Sequence, residues 1–132
     1  MSFTLELVDM AQRQVWPDVD AFQGRDATGS FGLWAKHQDF IARCPAGISR
    51  IRRRGESIYL AAPSLLVMFR RGALTLTSRR LFLGTSPEAL ENELLSWLAH
   101  DRERRLVKAS NQNRLEQSLM RQLRELKSDD LS

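Results

Sequence analysis

A single change of periodicity governs what this chain can fold into. Up to about residue 84, short apolar stretches of period two are broken by Gly, Pro, Asp or Arg clusters every eight to twelve residues or so. From residue 85 apolar residues recur at helical spacing, and no glycine or proline follows Pro87. The first part therefore predicts an all-β sandwich or barrel and the second a helical element, an α+β organisation with domains at 1–84 and 85–132. Phe3, Leu5 and Leu7 fall on one strand face. Val15, Trp16, Val19 and Phe22 mark a segment interrupted by Pro17, which implies a bulge or an edge position. Ile48–Ile51, Ser57–Ala61, Leu65–Phe69 and Ala73–Thr77 are separated by Arg54-Gly55-Glu56, by Pro63 and by Arg71-Gly72. Gly55 and Gly72 stand where hairpin turns need positive φ.

The helix start is well marked. Thr85-Ser86 supplies hydroxyl caps, Pro87 suits the first helical position, and Glu88 puts an acid in the first turn. Leu90, Leu94, Trp97 and Leu98 follow at helical spacing, predicting a helix from about 87 to 107. Ser110-Asn111-Gln112-Asn113 is a polar break, after which Leu115, Leu119, Leu123 and Leu126 line a second helical stretch ending near Lys127. That break is compatible with the turn of a helical hairpin or with a bend in one long arm.

Composition narrows the function classes. At 132 residues with 42% hydrophobic and 27% charged, the chain has the make-up of one globular domain or a small domain with an appendage, not of a disordered tail. No run of roughly 18 apolar residues exists, and Met1–Met10 alternates instead of forming a secretion signal, so a cytoplasmic protein is expected. Cys44 is alone and the histidines are only His37 and His100, a poor basis for disulfides or a zinc site. The net charge of +4 is uneven. Residues 45–84 hold Arg50, Arg52, Arg53, Arg54, Arg70, Arg71, Arg79 and Arg80 against Glu56 alone. Arginines pair bidentately with phosphate or carboxylate, so nucleic acid and an acidic protein surface are both candidate partners, beside the plainer role of strand-edge protection.

Catalytic signatures are missing: there is no phosphate-binding G-x-x-x-x-G-K-S/T loop, no G-x-G-x-x-G and no G-x-S-x-G elbow. His37 and Asp39 are spaced for one strand face but have no nucleophile beside them, so a polar loop histidine is the better reading. Trp16, Trp34 and Trp97 are scattered, as core or interface anchors are, and do not form a base-stacking platform. The leucines of the helical part read first as a packing seam. No enzyme is expected, and no cofactor or metal.

Gly29-Ser30-Phe31-Gly32-Leu33-Trp34-Ala35-Lys36-His37 resembles the G-E-[FL]-G-[IV]-[LY]-P-G-H loop of the epsilon subunit of bacterial F-type ATP synthases. Ten residues after the histidine, Gly47-Ile48-Ser49-Arg50-Ile51 is similar to that family's G-x-[VIL]-R-I strand. Ile58-Tyr59-Leu60, Val67 and Leu74-Thr75-Leu76 resemble its later strands, so the resemblance spans nearly the whole chain. It is a divergent one. Ala35 and Lys36 replace the proline and glycine before the histidine, Ala62-Pro63 replaces a Gly-Gly, and Ser30 replaces the loop acid.

The resemblance implies a flattened β sandwich of about ten strands followed by a two-helix hairpin or arm. It also implies a non-catalytic rotor subunit that couples the gamma subunit to the membrane c-ring during proton- or sodium-driven ATP synthesis, peripheral on the cytoplasmic face of the inner (plasma) membrane. Gly29, Ser30, Phe31, Gly32 and His37 inherit the contact region for gamma and the c-ring. Loss of the acid at Ser30 implies a c-ring loop less basic than usual. The arm of the family extends into the catalytic alpha/beta head and inhibits hydrolysis through basic residues, a role open here to Arg114, Arg121, Arg124 and Lys127. Leu83-Gly84-Thr85-Ser86-Pro87-Glu88-Ala89 lacks the Asp and Arg of the family's I/L-D-x-x-R-A motif, so no tight ATP binding is expected. The alternative is a small arginine-rich nucleic-acid-binding β domain with a helical dimerisation hairpin, recognisable by steep salt dependence.

Overall fold

The computed structural model describes the backbone of residues 1–131 and the side chains of residues 1–126. Seven strands precede one helix: β1 (Phe3–Val8), β2 (Arg13–Asp26), β3 (Gly29–Trp34), β4 (Phe40–Arg53), β5 (Glu56–Arg70), β6 (Ala73–Thr77), β7 (Phe82–Gly84) and α1 (Pro87–Leu131). The strand order is β1-β6-β5-β4-β2-β3, β7 joins β5, and β1 also pairs with β2, so the ladder closes on itself. All pairings are antiparallel except β1 with β6. The chain is thus α+β, with a closed β sandwich or barrel and a C-terminal helix.

The strand count is seven, where the resemblance implied about ten. The three long strands explain the difference, because each runs unbroken through two sets of neighbours. β5 pairs with β7 and the end of β4 through Tyr59–Ala61, then with β6 and the start of β4 through Leu66–Arg70. Pro63 fails to divide it. Between the last residue paired with β7 and the first paired with β6, that side of β5 has no neighbour, so a residue lacking an N–H forfeits no ladder bond there. Pro17 behaves as its sequence implied: the β1–β2 register shifts between Phe3 and Leu5, Asp18 takes φ 60°, and the Arg53 Nε donates to the Pro17 carbonyl at 2.9 Å.

Burial follows the alternation within each half of a long strand and changes face between halves. In β4, Cys44 is inward before Pro45-Ala46-Gly47, and Ser49 and Ile51 are inward after it. β5 changes with it, from Leu60 and Ala62 to Leu65, Val67 and Phe69. These side chains join Phe3, Leu5 and Leu7 of β1 and Phe22 of β2 in one core. The hairpins at Arg54-Gly55 and Arg71-Gly72 are two-residue turns with both residues at positive φ, 52° and 77° in the first, 51° and 74° in the second, as a type I′ connection demands. Asp9 ties the β1–β2 turn to a distant strand. Its carboxylate accepts from the amides of Ala11 (2.8 Å), Gln12 (2.9 Å) and Leu81 (3.1 Å).

The helical part is one helix, not two. Ser110-Asn111-Gln112-Asn113 costs only a few tenths of a kcal/mol per residue in helix propensity, and without glycine or proline nothing there removes a backbone hydrogen bond. At the start, Ser86 Oγ accepts from the Ala89 amide at 3.3 Å, which confirms the hydroxyl cap. Two compact units are distinguished, Met1–Ser96 and a second beginning at Trp97. Leu90 and Leu94 are buried within the first. Leu115, Leu119, Leu123 and Leu126, expected as a packing seam, are all more than half exposed.

Candidate functional site

The five residues expected at a gamma and c-ring contact lie along β3 and just beyond it. Gly29 and Ser30 open β3 beside the β2–β3 turn, where Asp26 Oδ1 accepts from the Thr28 amide (2.8 Å) and hydroxyl (2.6 Å). These bonds, the hydroxyl one foremost, hold the Asp26 carboxyl below its ordinary value. Phe31 and Gly32 follow, and His37 comes after the strand. At about 3.3 Å per residue, the two ends of β3 stand roughly 17 Å apart. The residues therefore divide into a hairpin end, Gly29 and Ser30, and an aromatic end.

Phe31 belongs to the packing of the domain. Its ring meets Phe22 at 6.1 Å and Phe40 at 5.0 Å between centroids. Space for it comes from its cross-strand partner: a Cβ on Gly24 would lie 2.9 Å from the Phe31 ring and 3.0 Å from the Phe22 ring. The chain needs a glycine at 24 for this close approach, a signal visible only once the register is known.

His37 sits at the centre of a second aromatic group, edge-on to Trp34 (5.5 Å), Phe40 (5.9 Å) and Phe69 (6.0 Å). Its amide donates to the Trp34 carbonyl at 3.0 Å, closing a turn in which Lys36 holds φ 68°. Positive φ at the third residue of an i→i+3 bonded turn is type II, whose preferred residues are proline then glycine. Here Ala35 and Lys36 adopt that turn with neither residue present. Asp39 does not partner the histidine. Its Oδ1 accepts from the Arg71 amide at 3.0 Å, while His37 Nδ1 lies 2.7 Å from the Gln38 carbonyl. No acid–base pair forms.

Arg114, Arg121 and Arg124 are exposed on α1. Arg114 and Arg121, seven residues apart, differ by only about 20° around the helix, so they share a face. The side chain of Lys127 lies outside the described residues.

The middle arginines are not one patch. Arg53 stacks over Trp16 at 5.5 Å, Arg54 pairs with Asp18 at 3.2 Å, and Arg80 lies over Phe82 at 4.9 Å. Three of the eight thus have a structural use at turns and strand ends. Arg50 stands apart, in a groove of about 840 Å³ lined also by Gln23, Arg25, Ser49, Tyr59 and Pro87. Cys44 borders the groove but is buried. That burial raises its thiol pKa above the ordinary value, although the Arg25 amide lies in hydrogen-bonding reach, so it is not a reactive nucleophile. Among the described residues no His, Cys, Asp and Glu group has metal-binding geometry, and no helix is long and apolar enough to cross a membrane.

No protein-family model matches the chain, and no curated protein matches it in sequence. Solved structures do match in fold. A chain of the Euglena gracilis mitochondrial ATP synthase, in a structure of OSCP, F1 and the c-ring in rotational state 1, is similar with TM-score 0.58 at 16% identity. The match covers 62% of this chain and 53% of that one, so it spans about half the length of its neighbour. A chain from the central stalk and c-ring of the Tetrahymena thermophila mitochondrial ATP synthase is similar with TM-score 0.55 at 12% identity, covering 62% of this chain and 66% of that one. The fold is one found in ATP synthase central-stalk and c-ring assemblies.

Proposed function

We propose that this chain is a non-catalytic, epsilon-type subunit of the central stalk of an F-type ATP synthase, coupling the gamma subunit to the membrane c-ring. The fold likeness to chains of two such assemblies carries the reading. The type II turn before His37 supports it, because proline then glycine, the pair at these two positions in the loop this sequence resembles, is what such a turn prefers. A closed, densely packed β domain suits a rotor element, since a close-packed interior transmits load with little deformation. In this reading the hairpin end at Gly29 and Ser30 faces the c-ring, with gamma held alongside and Phe31, Gly32 and His37 shaping the contact from within. Arg114, Arg121 and Arg124, with Lys127, are the residues through which α1 restrains hydrolysis in the alpha/beta head. The protein acts peripherally at the cytoplasmic membrane face, with no nucleic-acid partner.

The test is co-expression with the gamma subunit and c-ring of its own complex, followed by ATPase assays of the assembly. Full-length protein should co-purify with both. A version ending at Ser96 keeps the buried Leu90 and Leu94, and should still assemble while raising hydrolysis. Assembly with no change in hydrolysis would retain coupling and discard inhibition. Failure to assemble, together with tight salt-sensitive binding to nucleic acid, would overturn the reading.

A further inference from the structure

The strand register builds a row of residues across the outer face of the sheet. Gly32 pairs with Gln23, Gln23 with Arg50, Arg50 with Tyr59, and Tyr59 with Gly84. Glycines at both ends of the row leave Gln23, Arg50 and Tyr59 as the floor of a trough, the groove described above. Its far wall is the start of α1: Pro87 lines it, and Leu90 Cδ2 lies only 3.4 Å from where a Cβ on Gly84 would stand.

Two features make this groove receptive to an acidic chain. The β2–β4 pairing ends at Gln23 and Arg50, so the β4 edge from Pro45 to Ser49 has no ladder partner on the β2 side, and Pro45, Ala46 and Gly47 are exposed. An extended segment can supply the missing backbone partners there. The charged side chains that line the groove are both arginines. Arg25 and Arg50 both line the groove, and neither forms an ion pair with any described residue. The positive N-terminal end of α1 lies on the same side.

We infer that the groove over Gln23, Arg50 and Tyr59 docks an extended, acidic segment of a partner protein, which lies along the free β4 edge and places carboxylates against Arg25 and Arg50. Arginine forks suit carboxylates bidentately, and edge pairing supplies affinity without demanding a particular side-chain sequence. The inference does not depend on which complex the chain serves.

The full chain would be titrated into three labelled probes of about ten units: an alternating Glu-Val peptide, an alternating Lys-Val peptide and a single-stranded oligonucleotide. Fluorescence anisotropy should show binding of the Glu-Val peptide alone. Changing Arg25→Gln and Arg50→Gln together should weaken it about tenfold or more. Changing Arg102→Gln and Arg104→Gln on α1, an equal loss of charge, should alter it less than twofold. Hydrogen exchange on the unmodified protein provides a readout free of variants, with protection at residues 45–49 when the peptide is bound. Absence of Glu-Val binding, equal loss in both double variants, no protection at 45–49, or preference for the oligonucleotide would each overturn the proposal. None of these readouts involves gamma or the c-ring, so failure here is separable from failure of the stalk reading.

Discussion

Leu5 and Leu119 are the same side chain in opposite circumstances: the first is wholly buried in the β core and the second is 51% exposed on α1. The contrast extends to their surroundings. In the β domain nearly every inward position closes on the others through a ladder that rejoins itself, whereas the leucines after residue 110 follow each other up a single helix. Hydrophobic burial scales with area removed from water, so equal apolar content contributes unequally to stability in the two regions. The β domain is held by its interior, and the distal helix by backbone hydrogen bonds and local propensity.

The sharpest way to break that contrast is to delete apolar volume in each region. Phe69 is fully buried, edge-on to Phe3 at 5.5 Å and to His37 at 6.0 Å. Phe69→Ala should cost about 3–5 kcal/mol in urea unfolding, the lost transfer energy plus a cavity. Leu119→Ala, on the exposed helix, should change stability by less than about 0.5 kcal/mol. Comparable losses at the two sites would show that the helical leucines are buried in solution.

Asp9 comes next, because it links segments far apart in sequence. Burial by itself would raise its pKa, but the amides of Ala11, Leu81 and Gln12 and the nearby Arg80 charge outweigh that and hold it below the ordinary value of 3.8. With the folded value depressed, its stabilisation is fully present above 3.8 and disappears as pH falls through the lower folded value. Asp9→Ala should destabilise the β domain by about 1–3 kcal/mol at neutral pH, through the unmet Leu81 amide above all. The variant's deficit should shrink in acid. A deficit independent of pH down to the acid limit of folding would show that the carboxylate charge is not what those amides need.

How far the sequence disclosed this structure depends on whether a feature is local. Arg54-Gly55 and Arg71-Gly72 were legible as hairpins, and Pro17 as a bulge or edge position, because turn chemistry is written in adjacent residues. Pro63 was misleading for the complementary reason. Whether a proline ends a strand depends on who its neighbours are, and only the ends of β6 and β7 reveal that Pro63 faces a gap. The packing of Phe31 was not legible, because only register sets it against Gly24 and between two other rings. The row from Gly32 to Gly84 was invisible in sequence, since four separate pairings must be known before its members can be called neighbours.

A smaller effect tests the turn at His37. Lys36 carries a side chain at φ 68°, where an L-residue is strained and glycine is at ease. Lys36→Gly should therefore stabilise the β domain by about 0.5–1 kcal/mol, a gain visible as a higher urea midpoint with unchanged slope. A neutral or destabilising result would mean that the Lys36 side chain makes up for its own backbone cost. The same substitution on α1, for instance Lys108→Gly, should destabilise that helix by about 1 kcal/mol, so one change of residue separates a turn from a helix interior.

The continuity of α1 through Ser110-Asn111-Gln112-Asn113 gives the most direct test of the helical region. If these residues are helical, Asn111 and Asn113 occupy interior positions where their short amides favour competing backbone contacts, and alanine is better at both by about half a kcal/mol. Asn111→Ala with Asn113→Ala should then strengthen the distal helix by about 1 kcal/mol, read as slower amide exchange on both sides of residue 112 while the β-domain amides keep their rates. A hairpin turn makes the opposite demand. It needs those polar side chains for capping, so alanine would speed exchange at the start of a second helix. The sign of the change distinguishes the two.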